Sequence, residues 1–265
     1  MKKFIAILIC SVLLAGLLSG CGSSVMTVKE AYDLYQNMQT AMADVKSMDM
    51  DISSTIDMTL SGDTADTATG PINTVTTGNT KEVMNSATDI DMAMNLTTTA
   101  NGVDTPMMAY YTKGVFYFDT AGMKYKMPMS LEDVEKQGDS TTLNFPQSAI
   151  KDFTVTDVDG GKKIEFTLDG TAITDLLNQS LTAMQSISPD ITAADLTMGD
   201  VTCEAVIDTS SNMLKSYRMA CDMTAAVQGI SVSMSMDSTI TINSFNDVTI
   251  DFPTDLDTYV DMPSY

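Results

Sequence analysis

Methionine and cysteine are the side chains in this sequence with the most distinctive chemistry. Met occurs 23 times in 265 residues, against 8 Phe and no Trp. A thioether is soft and its side chain unbranched, so a surface built from Met can mould itself to an apolar ligand. Several stand at alternate positions among other apolar residues: Met50, Ile52 and Met58, then Met92 and Met94, Met219 and Met223, and Met234 and Met236. These residues are the candidate lining of a ligand-binding face. The plainer alternative is ordinary core filling, although a uniquely packed core is better specified by Leu, Ile and Phe. Of the 4 cysteines, Cys203 and Cys221 flank a predicted hairpin and share the parity of its apolar residues. Opposed cysteines on neighbouring antiparallel strands can meet the distance a disulfide needs, so this pair is the disulfide candidate, with two small buried thiols as the alternative. Without a His or a basic neighbour to lower its pKa, neither thiol reads as a catalytic nucleophile.

What is missing narrows the other chemistries. The chain has no His, which removes Ser-His and Cys-His nucleophile systems and most zinc or copper sites. Its 14 Lys and Arg against 35 Asp and Glu leave a net charge of −21, the wrong sign for binding nucleic acid. Asp157-Val158-Asp159-Gly160-Gly161 resembles part of a calcium loop but lacks the spaced third ligand and distal Glu of an EF-hand. Asp-Gly also suits a hairpin turn, and the turn is the reading adopted. The other acids read as hydrated strand faces and loops, and no spacing selects a carboxylate pair for glycoside hydrolysis. There is no phosphate-cradling Gly loop, Gly-x-Ser-x-Gly elbow or Ser-x-x-Lys. The expectation is a protein that is not an enzyme and uses no cofactor or metal. Tyr110, Tyr111, Phe116, Tyr117, Phe118 and Tyr125 cluster; packing at a sheet edge is the default, and an aromatic rim to a ligand mouth the sharper alternative.

The N-terminus reads as an address. Lys2 and Lys3 precede an apolar run over 4–18, of signal-peptide length and short for a membrane span. It ends in Leu18-Ser19-Gly20-Cys21, which resembles a bacterial lipobox, where the Cys receives a diacylglyceryl group and becomes the new N-terminus. On that reading 1–20 are a lipoprotein signal peptide, Cys21 is the lipidation site and 21–25 are a lipidated tether. An ordinary signal peptide or an uncleaved anchor is the alternative. At about 0.8 kcal/mol per buried CH₂, two acyl chains hold a protein stably to a bilayer. Anionic lipid repels so acidic a body, so the lipid does the anchoring, at the extracytoplasmic face of the cell membrane.

The Met-rich face needs strands and helices to present it. Thr27-Val28-Lys29-Glu30 reads as a capping box, and Val28, Ala31, Tyr32, Tyr35, Met38, Met42 and Val45 recur at helical spacing. A second amphipathic helix is predicted over 172–187, ended by Ser188-Pro189, with shorter helical pieces over 131–137 and 146–151. Nearly everything else alternates, most clearly from Met48 to Leu60, Ile90 to Leu96 and Ile230 to Ile242. Period two predicts long strands with one apolar and one hydrated face. Asn101-Gly102 marks one turn. Asp159-Gly160-Gly161 separates strands at 151–158 and 162–169, and Ser210-Ser211-Asn212 separates 201–208 from 213–225. Short strands lie around Lys113-Gly114 and Ala121-Gly122, while 61–80 read as a long polar loop. A helix followed by a meander occurs from 26 and again from 171, without residue-level repetition. No linker splits the chain, so 26–265 read as a single domain.

Lipobox, amphipathic helix, long alternating strands, the Gly122–Met129 segment, a second helix and a final meander ending Ser244-Phe245-Asn246-Asp247-Val248-Thr249-Ile250-Asp251-Phe252-Pro253 are similar to a family of poorly characterised Gram-positive bacterial lipoproteins. In layout these resemble the LolA/LolB and LppX-like lipoprotein carriers, over nearly all of 26–255. The resemblance implies an α+β fold: a strongly curved antiparallel β-sheet, or half-barrel, with amphipathic helices covering its concave face. It implies a membrane-anchored lipoprotein holding a lipid or other apolar ligand on that face. It carries no catalytic residue and no specific ligand contact, and a fold alone does not establish a function. The alternative is a non-enzymatic interaction or sensor module with a solid core. That module would meet a protein or cell-wall partner through its acidic face or the 61–80 segment.

Overall fold

The structure, a computed structural model, describes residues 34, 37, 38, 40–62, 71–86, 88–131, 134, 150–174, 195–227 and 230–262. Residues 1–20 and 21–25, read as signal peptide and lipidated tether, the expected Thr27–Glu30 capping box and most of the predicted 172–187 helix lie outside those residues. The strands are β1 (Ser47–Gly62), β2 (Ile72–Ser86), β3 (Asp89–Ala100), β4 (Val103–Thr112), β5 (Val115–Thr120), β6 (Met123–Pro128) and β7 (Ile150–Val158). They continue as β8 (Gly161–Leu168), β9 (Asp195–Met198), β10 (Val201–Ile207), β11 (Leu214–Val227), β12 (Ile230–Phe245) and β13 (Val260–Asp261). All 13 join one sheet in the order β13-β6-β5-β4-β3-β2-β1-β12-β11-β10-β8-β7, with β9 pairing β11 off that path. The path has two ends, so the sheet is open. Pairing is antiparallel apart from the parallel β13–β6 contact.

Period-two alternation builds the long strands, and two-residue loops reverse them. Asn101-Gly102, Lys113-Gly114 and Ala121-Gly122 each take positive φ at both positions (52° and 77°, 51° and 75°, 51° and 83°). That backbone matches the twist of the flanking strands and is readily adopted by Gly at the second position. Asp159-Gly160 links β7 to β8 as expected. Between β10 and β11, the Asp208 carboxylate accepts from the Ser210 and Ser211 backbone N–H groups at 2.8 and 3.0 Å and pairs with Lys215 at 3.3 Å. The Ser210 hydroxyl and these backbone donors hold its pKa well below the usual range.

The two sequential runs of strands meet at the β1–β12 pair, Met48↔Phe245 through Gly62↔Ile230. β7 and β8 precede residue 171 yet belong to the β12 side, so the helix-plus-meander duplication does not divide the sheet. Two other expectations are corrected. Residues 72–80, read as loop, are the first part of β2; Thr on both faces hides the alternation although its β-branching favours extended backbone. Residues 150 and 151, read as the end of a short helix, open β7.

The sheet dominates the described structure. Among the described residues, α-helical ones are 34, 37, 38, 40–43, 131, 134 and 170–174, and Leu256–Thr258 form a 3-10 turn. Leu34, Met38 and Met42 repeat at four-residue spacing and are buried. They share one core with Met48 and Met50 of β1, Ile164, Phe166 and Leu168 of β8, and Cys203, Ala205 and Ile207 of β10. Ile173 joins the same core.

Candidate functional site

The site is built from rows of directly paired residues, because opposed residues on adjacent strands project to the same face. One row crosses five strands as Ile72–Met58–Met234–Met223–Met198. Its thioethers lie on neighbouring strands, about 4.7–4.9 Å apart in the hydrogen-bonding direction. Met58, Met223 and Met234 stay half-buried and outside the buried core cluster.

Moving along β1 toward its start, the same face closes. Met236 stands between Ile56 and Cys221, and Ile240 between Ile52 and Tyr217. Ile52, Met219 and Met236 pack against the core, and Met50 is 1% exposed within it. The predicted lining residues are therefore split: Met50 is core, Ile52, Met219 and Met236 are its margin, and Met58, Met223 and Met234 form the accessible row. Met92 and Met94, on β3, are half-buried in the other half of the sheet.

That second half carries two polar side chains the sequence reading passed over. Glu82 lies between Met48 and Met92, and Thr80 between Met50 and Met94, in the apolar rows. Burial pushes the Glu82 carboxyl up to about 7. Thr80 is buried, and its hydroxyl has no hydrogen-bond partner among the described residues. Parity was the available signal, since Thr80 and Glu82 fall in step with Ile72 and Met84.

The aromatic cluster divides between the faces. Tyr111 is buried on the apolar side, where its hydroxyl donates to the Met129 carbonyl at 3.1 Å. Tyr110 and Tyr117 lie beneath the C-terminal segment, meeting Phe252 and Tyr259 edge-on at 6.2 and 5.5 Å. Lys124 bonds Asp255 at 2.6 Å and sits 5.4 Å from the Tyr259 ring centre. Burial raises the Tyr259 phenol, partly opposed by Lys124.

On the hydrated face, β12, β1, β2 and β3 form an open groove of about 580 Å³. Asp51, Ser53, Thr77, Asn79, Asn95, Thr97, Thr239 and Thr241 line it, with Ile52 and Gly78 also contributing. The Asn79 amide donates to Asp49 at 2.6 Å and Asp51 at 2.9 Å, and Asn243 donates to Asp49 at 3.0 Å. Burial acts to raise the Asp49 pKa, but the two amides and Lys81 outweigh it and hold the carboxyl below its usual value. A Cβ on Gly78 would lie 2.1 Å from the Asn95 carbonyl oxygen, so this crossing of β2 and β3 requires glycine.

The expected disulfide is not formed: Cys203 and Cys221 are separate buried thiols. The register explains this, since Cys203 opposes Met219 and not Cys221. Cys203 instead takes the Tyr217 hydroxyl at 3.3 Å. Burial, with Asp222 adding to it, raises the Cys221 thiol, opposite to what a nucleophile needs. Asp157 of the Asp-Gly turn pairs with Lys162. Among the described residues no group of three His, Cys, Asp or Glu could hold a metal ion.

These features define a class: an open antiparallel sheet with a thioether-rich face and a grooved hydrated face. The chain belongs to the family of unknown function DUF6612, whose family model matches residues 30–257. No curated protein matches it. Among solved structures it is similar to LprF from Mycobacterium bovis, at 14% identity, covering 85% of this chain and 97% of that one, with a TM-score of 0.43. It is also similar to the lipoprotein LppX from Mycobacterium tuberculosis, at 12% identity, covering 83% and 97%, with a TM-score of 0.39.

Proposed function

We propose that this protein is an extracytoplasmic lipoprotein, tethered to the membrane through a diacylglyceryl group on Cys21, that binds a lipid or other apolar ligand without catalysing a reaction. Residues 26–265 act as one carrier domain, its sheet curved with the Met-rich side inward and the helices at 27–45 and 172–187 serving as its cover. The observation that carries this reading is the row Met58–Met234–Met223, contiguous across three strands and still partly accessible. A soft apolar strip of this kind suits an alkyl chain, whose burial is worth about 25 cal/mol per Å². The test is native mass spectrometry of detergent-free protein after mixing with membrane lipids, together with uptake of an uncharged fluorescent alkyl probe. Lipid-bearing masses and saturable uptake support the reading; a ligand-free mass with no uptake removes it.

One observation favours a second reading, an interaction module with a solid core. The groove on the hydrated face presents side-chain amides, hydroxyls and Asp51, the groups that hydrogen-bond a hydroxyl-rich cell-wall partner. Binding of soluble wall glycan that is lost on Asn79→Ala, without any lipid uptake, selects this reading.

A further inference from the structure

Two acceptors stand side by side within the apolar rows. Thr80 and Glu82 lie two residues apart on β2 and project to one face, flanked by Met48 and Met50 on β1 and by Met92 and Met94 on β3. Thr80 is 5% exposed, and its hydroxyl makes no hydrogen bond with the described residues. Buried polar groups are nearly always satisfied, so an orphaned hydroxyl is an exception that asks for a partner. Glu82 is partly accessible, makes no ion pair or hydrogen bond with the described residues, and has its carboxyl pushed up to about 7 by burial. Its neighbour Lys81 faces the other side of the sheet, where its ammonium lies 3.7 Å from Asp49, and so does not neutralise it.

We propose that Glu82 and Thr80 hold the primary ammonium head of an alkyl-chain ligand, whose chain lies along the half-buried Met92 and Met94. An ammonium offers three donors and no acceptor. It can therefore satisfy a carboxylate and a hydroxyl lone pair together, and it supplies the opposite charge that favours ionised Glu82. A fatty-acid carboxylate would instead meet a like charge. This inference rests on the apolar-ligand reading above and names the ligand class for that face.

The test compares dodecylamine, dodecanol and dodecanoate, below micelle formation at pH 8, as competitors of a fluorescent alkyl probe on the detergent-free protein. The expected result is dodecylamine binding about tenfold tighter than dodecanol, as one charge-assisted hydrogen bond would give. Dodecanoate is expected to be the weakest. Glu82→Gln should abolish the amine preference over dodecanol, and Thr80→Val should reduce it. Circular dichroism checks that both variants fold. If Glu82→Gln does not fold, the ranking of the three compounds on the wild-type chain decides alone. Dodecanoate binding as well as dodecylamine, or an amine preference that survives Glu82→Gln, overturns the assignment while the apolar-ligand reading stands. Failure of every alkyl compound to compete removes both.

Discussion

Cys203 stands directly opposite Met219 across the β10–β11 ladder, and that pairing offsets it from Cys221 by two residues along β11. Diagonal neighbours of this kind have Cα atoms about 7–8 Å apart, beyond the range a disulfide tolerates. Alkylation of the unfolded, unreduced protein should therefore label both cysteines, read by peptide mass mapping. A cross-linked Cys203–Cys221 peptide would contradict the register.

The methionines should separate by role when truncated. Met50 is 1% exposed in the core, so Met50→Ala should cost about 2–5 kcal/mol in a urea titration. Met234 keeps part of its surface accessible, so Met234→Ala should cost about 1 kcal/mol or less. That variant should instead weaken binding of an uncharged fluorescent alkyl probe about threefold to tenfold. Equal stability losses would mean that the row is ordinary core.

Glu82 should make stability fall as pH rises. Its carboxyl goes from 4.5 to about 7 on folding, so the folded state binds more protons between those values. Its contribution is full below about pH 4.5 and is lost as pH rises through about 7. The flanking Met48, Thr80, Met84 and Met92 do not titrate, and Tyr111 shares the row one strand beyond Met92. Glu82→Gln should raise the thermal midpoint at pH 8, leave it nearly unchanged at pH 4.5, and flatten the profile between. An unchanged profile would mean that Glu82 is solvated.

The C-terminal segment should be held by rings more than by charge. Tyr259 is 4% exposed against Tyr117, so Tyr259→Ala should cost about 3 kcal/mol and speed proteolysis of residues 246–262. Asp255→Asn removes an ion pair at the surface and should barely move the midpoint.

Gly78→Ala should destabilise the sheet by about 1–3 kcal/mol or more, because the obstructing Asn95 oxygen is backbone and cannot swing aside. Unfolding midpoints of the variant measure it.

Strands and turns were legible because their signals are local. The alternation from Ile230 to Ile242 and the Asn101-Gly102 pair each report on a few consecutive residues, and β12 and the β3–β4 turn follow them. β2 was partly missed because Thr74, Thr76 and Thr77 supply no polarity contrast between faces. The candidate site was legible by residue type only. Parity placed Met58, Met223 and Met234 on one face, but not in one row, since β1 and β12 are paired across nearly two hundred residues of chain. Glu82, covered by the reading of the other acids as hydrated faces and loops, projects instead to the apolar side, opposite to Lys81.

By itself the sequence determined which side of most long strands is apolar, where the tight turns fall and that this sequence offers no His, because those depend on side-chain type and on near neighbours. Tertiary structure alone decided the register. A shift of two residues in pairing keeps each apolar side chain on its own face, yet it changes which residues meet. That choice keeps Cys203 from Cys221, aligns the methionines of β1, β12 and β11, and sets Glu82 and Thr80 among thioethers.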